Sequence, residues 1–133
     1  MRELKYSIIF FVLMFSYSCI IPKEGRKLKK STKEWRNSPV VLEGYSDSPL
    51  GSTILMLREN KKFELTSSGL FRIQFEAGSW LFQQDTIHLS FLDKQQSIVK
   101  KQNVYLDRKT STLIFEGEDT AVYQRLKTII NKL

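Results

Sequence analysis

From Pro39 onward the chain repeats one phrase, a short run rich in β-branched and aromatic residues followed by a cluster of turn formers. The runs are PVVLEGY, STILMLR, KKFELTSS, LFRIQFEAGSWLF, DTIHLSFL, SIVKKQNVYLD, STLIFEG and AVYQRL, and they are parted by SDSP, ENK, QQD, DKQQ, DRKT and GED. Turn signals at this interval predict an all-β antiparallel up-and-down meander. Side-chain alternation agrees. Phe63 and Leu65 fall on one face with Glu64 and Thr66 on the other; Phe71, Ile73 and Phe75 oppose Arg72, Gln74 and Glu76; Ile87, Leu89 and Phe91 oppose His88 and Ser90. Roughly seven to nine such strands must each bury one face and also hide two sheet edges, and closure into a barrel does both.

A small barrel is just wide enough to be filled by its own side chains or to hold one small ligand. Phe63, Phe71, Phe75, Trp80, Phe82, Phe91 and Phe115 are the expected wall and floor residues, which favours a filled interior. Gly78, inside FEAGSWLF, is expected to mark a bulge or a sharp coil where a strand turns a barrel corner. The tail reads two ways. Leu126, Ile129, Ile130 and Leu133 recur at helical spacing, so a short C-terminal helix competes with a last strand that frays.

The N-terminus has a different texture. Arg2 and Lys5 precede an unbroken apolar run from Ile8 to Phe15, and Ser16, Tyr17 and Ser18 lead into Cys19, the single cysteine of the chain. A positive start, a short apolar stretch and small residues describe a secretory signal, and a spanning helix needs about 20 apolar residues. A rival reading takes Tyr6 to Ile21 as a signal anchor. The basic segment after it would then keep the rest of the chain in the cytoplasm. One cysteine excludes an intrachain disulfide, and one histidine, His88, leaves no ligand set for zinc.

An apolar run closing on small residues and a cysteine resembles the lipobox of bacterial lipoproteins. The resemblance implies cleavage before Cys19, diacylglycerol on its thiol and an N-acyl chain such as palmitate on its amine. It also implies an address in the cell envelope, on the outer membrane facing the periplasm or the surface. Several acyl chains, at about 0.8 kcal/mol per buried methylene, anchor stably where one would be marginal.

Charge divides the remainder. Between Ile20 and Asn37 lie seven basic residues, Lys23, Arg26, Lys27, Lys29, Lys30, Lys33 and Arg36, against two acidic ones, whereas Ser38 to Leu133 holds 12 basic and 11 acidic. The sequence pI of about 9.6 therefore comes from a leader and not from the domain. Nucleic-acid binding loses its usual footprint. A basic stretch next to a lipid anchor is suited to anionic head groups; the alternative is a solvated flexible tether. The expected organisation is a signal peptide over 1–18, a lipid-anchored basic linker over 19–37 and a barrel over 38–133.

The run STILMLRENKKFELTSSG, then GSW, then DTIHLSFLD and VYQRL resembles the small lipocalin-like barrel domains of Bacteroidota lipoproteins, over about Ser52 to Leu126. In that family the Trp of Gly-x-Trp packs the barrel floor, which implies such a role for Trp80. No catalytic set accompanies the resemblance. His88, Ser90 and Asp85 superficially supply a triad, but residues two apart on a strand project side by side and do not converge. His88 is expected to be a solvated strand-face residue without partners. Glu116, Glu118 and Asp119 offer too few oxygens for calcium. The expected protein is non-enzymatic, needs no cofactor or metal, and uses its barrel to bind an envelope protein partner as an inhibitor, immunity or accessory protein. The alternatives are a carrier or sensor of a small hydrophobic ligand, and a signal-anchored protein with a cytoplasmic domain.

Overall fold

In the computed structural model, which describes residues 23–49, 51–70, 72–116 and 125–133, the repeated phrase becomes a closed barrel of eight strands. The strands are β1 (Val40–Ser48), β2 (Gly51–Arg58), β3 (Lys62–Gly69), β4 (Ile73–Gln83), β5 (Thr86–Leu92), β6 (Ile98–Asp107), β7 (Thr112–Phe115) and β8 (Arg125–Asn131). Helix α1 (Lys23–Ser31) and a 3-10 turn (Lys33–Asn37) precede them. Every strand is antiparallel to its neighbours, and β8 pairs with β1 to close the cylinder. This is the up-and-down architecture expected from the turn spacing, and it is consistent with a lipocalin-like barrel.

The tail is a strand and not a helix. Tyr45 opposes Lys127 and Leu42 opposes Asn131, so β8 supplies the hydrogen bonds that β1 and β7 would otherwise leave unmade. The helical spacing misleads because Leu126 is buried beside Leu113 while Ile129 is 62% exposed on the outer wall.

The β2–β3, β4–β5 and β6–β7 turns and the leader gather at one end of the barrel, here the closed end. The interior there is apolar and filled, with Leu42, Leu57, Phe63, Trp80, Leu89 and Val104 among its members. Phe91, Phe115 and the half-buried Phe82 pack with them, as expected. Trp80 lies at the floor: its Nε1 donates to the Arg58 carbonyl at 3.0 Å, and Lys61 Nζ sits 4.3 Å above the ring.

Gly78 marks no bulge. The register runs unbroken through it on both sides, with Phe63 opposite on β3 and Phe91 opposite on β5. A Cβ there would stand 1.9 Å from the Ser90 carbonyl oxygen and 2.9 Å from the Phe63 ring. Glycine thus lets the two flanking rings meet edge to face, 5.0 Å apart at 78°. The register shifts that do occur lie at Val40/Leu42, Glu43/Gly44 and Phe91/Leu92.

One polarity is inverted relative to expectation. Leu65 faces inward with Phe63, and it opposes Glu76, while Thr66 opposes Phe75. Gln74 and Glu76 therefore face the barrel interior towards the open end, and Phe75 lies on the outer wall beside Ala77. Phe75 is nevertheless buried, because α1 and the 3-10 turn cover that wall. Phe71, the other aromatic of this run expected inside, lies outside the described residues.

Candidate functional site

Two places carry chemistry that the core does not consume: the hollow at the open end and the face of the leader. The hollow has a volume of about 390 Å³ and is lined by hydroxyls and amides, among them Ser46, Thr53, Ser67 and Gln74, with Arg72 at its side. It follows from strand parity. Alternate positions of β1 to β4 that carry Leu or Phe near the floor carry Ser, Thr or Gln near the mouth. Below the hollow, Lys100 Nζ stands 3.3 Å from Glu76 Oε2, Gln74 Nε2 donates to Glu76 Oε1 at 3.1 Å, and the Lys100 ammonium lies 4.2 Å from the Phe91 ring centroid. This polar layer sits over the apolar core and separates it from water. Its ion pair is well hydrated, so it contributes modestly to stability. Leu70, Ile98 and Val99 edge the same end and are 64%, 56% and 65% exposed.

Such a mouth can accept and donate hydrogen bonds, but it offers an apolar ligand little to bury against. The filled floor leaves the apolar interior to the protein's own side chains. Sequence reasoning missed the hollow because the inward residues of β4 at this level are the polar ones, and only the pairing of Leu65 with Glu76 reveals it.

The leader is folded, not a loose tether. The Glu64 carboxylate accepts from Arg58 Nε at 3.1 Å and from Arg36 Nε at 3.2 Å. Arg58 also donates to the carbonyls of Ser38 at 2.8 Å and Arg36 at 3.3 Å. Arg36 in turn donates to the Lys29 carbonyl at 2.9 Å, near the C-terminus of α1, and the buried Thr32 hydroxyl donates to the Leu28 carbonyl at 3.0 Å. Of the basic residues singled out in the sequence, Arg36 is thus committed to the barrel, whereas Arg26, Lys27, Lys29, Lys30 and Lys33 are exposed. Lys23 opens α1. Cys19, the candidate lipidation site, lies outside the described residues, as do the whole of 1–18 and the rival anchor segment Tyr6 to Ile21.

His88 does have a partner. Its Nδ1 is 2.9 Å from Asn103 Oδ1; Asn103 Nδ2 donates to Glu116 Oε2 at 3.2 Å, and the Tyr105 hydroxyl donates to the same oxygen at 3.1 Å. Because the amide oxygen accepts, Nδ1 is the donor of this hydrogen bond. The sequence could not show this, since it depends on His88 and Asn103 being opposed across β5 and β6. Asp85, the acid of the superficial triad, instead accepts from Arg108 Nε at 2.9 Å, and Ser90 opposes Lys101. Glu118 and Asp119 lie outside the described residues.

No protein-family model, no curated protein and no solved structure matches this chain.

Proposed function

We propose that the protein is a non-enzymatic lipoprotein of the bacterial cell envelope, anchored through Cys19, whose barrel binds a protein partner at its open end. The observation that carries the reading is the division of the barrel interior. The apolar part is occupied by the protein's own side chains, and the mouth keeps a polar hollow edged by the exposed apolar residues Leu70, Ile98 and Val99. A polar concavity with isolated apolar anchors on its rim suits a protein loop better than a hydrophobic small molecule. The lipobox-like run ending at Cys19 supplies the address, and the near-neutral charge of Ser38 to Leu133 leaves nucleic acid without an electrostatic footprint.

A photo-reactive amino acid placed at Leu70 or Val99 in cells should yield one discrete adduct, identifiable by mass spectrometry, and none when placed at Lys127 on the outer wall. Absence of any adduct at the rim, together with a stoichiometric apolar molecule extracted from the purified protein, would replace this reading with that of a hydrophobic-ligand carrier.

A further inference from the structure

The basic face of the leader outweighs its two carboxylates, Glu24 and Glu34, and most of its cations have no ion-pair partner among the described residues. Arg26, Lys27, Lys30 and Lys33 are exposed and make no hydrogen bond or ion pair with any described side chain. Within α1, Arg26 and Lys30 stand four residues apart, as do Lys29 and Lys33 across its end, and like charges at that spacing repel. A nine-residue helix is too short to hold itself together in water. It persists because the barrel holds it through Arg36, Glu64 and Arg58, with Phe75 covered beneath it. The fold therefore maintains an array of unneutralised cations on one side, over β4, with β8 half a turn of the barrel away.

We infer that this face is a docking surface for anionic phospholipid head groups and that the leader is a strut, fixing the barrel with its β4 wall towards the bilayer and its β8 wall away. The inference rests on the lipid-anchored reading for one element only, the reach of the tether. Lys23 is four residues after Cys19, a span of at most about 14 Å, so acyl chains on Cys19 hold α1 within the reach of the head groups. That reach lets the exposed cations come within the Debye length of the head groups, about 8 Å at physiological salt, where attraction to an anionic surface is still felt. A free tether would let the barrel tumble. A strut bonded to the outer wall does not.

The test uses the full chain purified from membranes and reconstituted into vesicles of 30% phosphatidylglycerol in phosphatidylcholine, or of phosphatidylcholine alone. A fluorophore is attached at Ser31→Cys on α1 or at Lys127→Cys on β8, and quenching by head-group spin-labelled lipid is read. In the phosphatidylglycerol vesicles the Ser31 position should be quenched several-fold more than the Lys127 position. One molar salt, or the triple variant Lys27→Gln, Lys30→Gln, Lys33→Gln, should erase the difference while the protein still pellets with the vesicles. Equal quenching at the two positions, or the same discrimination on phosphatidylcholine alone, overturns the inference, and the latter outcome would direct the basic face to an acidic macromolecule. The unsubstituted chain reports separately on the anchor. If its Cys19 takes up the thiol-reactive dye, the lipidation reading fails, whatever the quenching pattern.

Discussion

Arg36 Nε and Glu64 Oε2 are 28 residues apart in sequence and 3.2 Å apart in space, and this contact turns a basic leader into part of the barrel wall. Glu64 is shared, since its other oxygen takes Arg58. The side chains of Glu64 and Arg58 are each 10% exposed and that of Arg36 is 29% exposed, so the three differ in what their loss costs. Glu64→Ala leaves Arg58 buried without its counter-ion and should lower the unfolding free energy by about 3 kcal/mol. Arg36→Ala removes the better solvated partner and should cost about 1 kcal/mol. Urea denaturation measures both. Trypsin gives a second readout, because release of the leader should speed cleavage at Lys29, Lys30 and Lys33 in both variants while the barrel stays intact.

Gly78 is the position where an added methyl should do most harm. Its two cross-strand neighbours are phenylalanines, and the Ser90 carbonyl occupies the place of a Cβ. Backbone cannot move aside as the end of a flexible side chain can, so Gly78→Ala should cost at least about 3 kcal/mol or prevent folding. Phe63→Leu, which relieves the aromatic part of the crowding, should rescue little, because the closer clash is with the β5 backbone. Chemical denaturation of the single and double variants decides it.

Trp80 separates packing from hydrogen bonding at the barrel floor. Trp80→Phe keeps a ring in place but leaves the Arg58 carbonyl without its indole donor, at a cost of about 1–3 kcal/mol. Trp80→Ala also opens a cavity and should cost about 3–5 kcal/mol. Near-equal unfolding midpoints for the two variants would mean that the ring contributes no packing.

Asp107 sets a pH dependence. It caps the β6–β7 turn, accepting from the Lys109 and Thr110 amides at 3.0 and 3.4 Å. The Thr110 side chain, with help from these amides, holds its carboxyl below the ordinary carboxylate range. A folded value lowered beneath the unfolded one means that the stabilisation is complete above the ordinary carboxylate range and is lost as pH falls through the folded value. Asp107→Asn should therefore flatten that acidic part of the stability profile and leave the slope above neutrality unchanged, as read from thermal midpoints across pH.

What the sequence disclosed follows from what is local. The turn clusters and period-two runs gave the meander, and alternation with the aromatic positions gave Phe63, Leu65, Trp80, Ile87, Leu89, Phe91 and Phe115 of the core, because alternation is a property of each strand by itself. Four things are non-local and stayed hidden. Phe75 has the same alternation whether it faces the barrel interior or a helix outside, and only the pairing of Thr66 with Phe75 assigns it to the outer wall. Gly78 in GSW reads equally as a bulge or as a gap for neighbouring rings. The leader's composition, half of it charged, reads equally as a head-group contact or a solvated tether, and its folding depends on a buried carboxylate 28 residues beyond Arg36. The polar mouth is hidden for the same reason as Phe75, since Gln74 and Glu76 change from surface to interior when the face is reassigned.

The sharpest separation of binding from catalysis sets the mouth against the His88 network. His88 is oriented by Asn103, which is oriented by Glu116, a chain that resembles the positioning half of a general base. Yet its strand neighbours across the sheet are Leu81 and Asn103, and Ser90 on the same face opposes Ser79 and Lys101, so no described nucleophile is hydrogen-bonded to Nε2. His88→Gln should therefore fold normally and restore whatever cellular role a gene deletion removes. Val99→Asp, which places a charge on the rim without touching the core, should fold equally well and fail to restore it. A binding module gives that pair of results. Loss of a general base would cost about 100-fold to 10,000-fold in rate, so failure of His88→Gln with success of Val99→Asp would move the site from the mouth to the outer face of β5 and make the protein an enzyme.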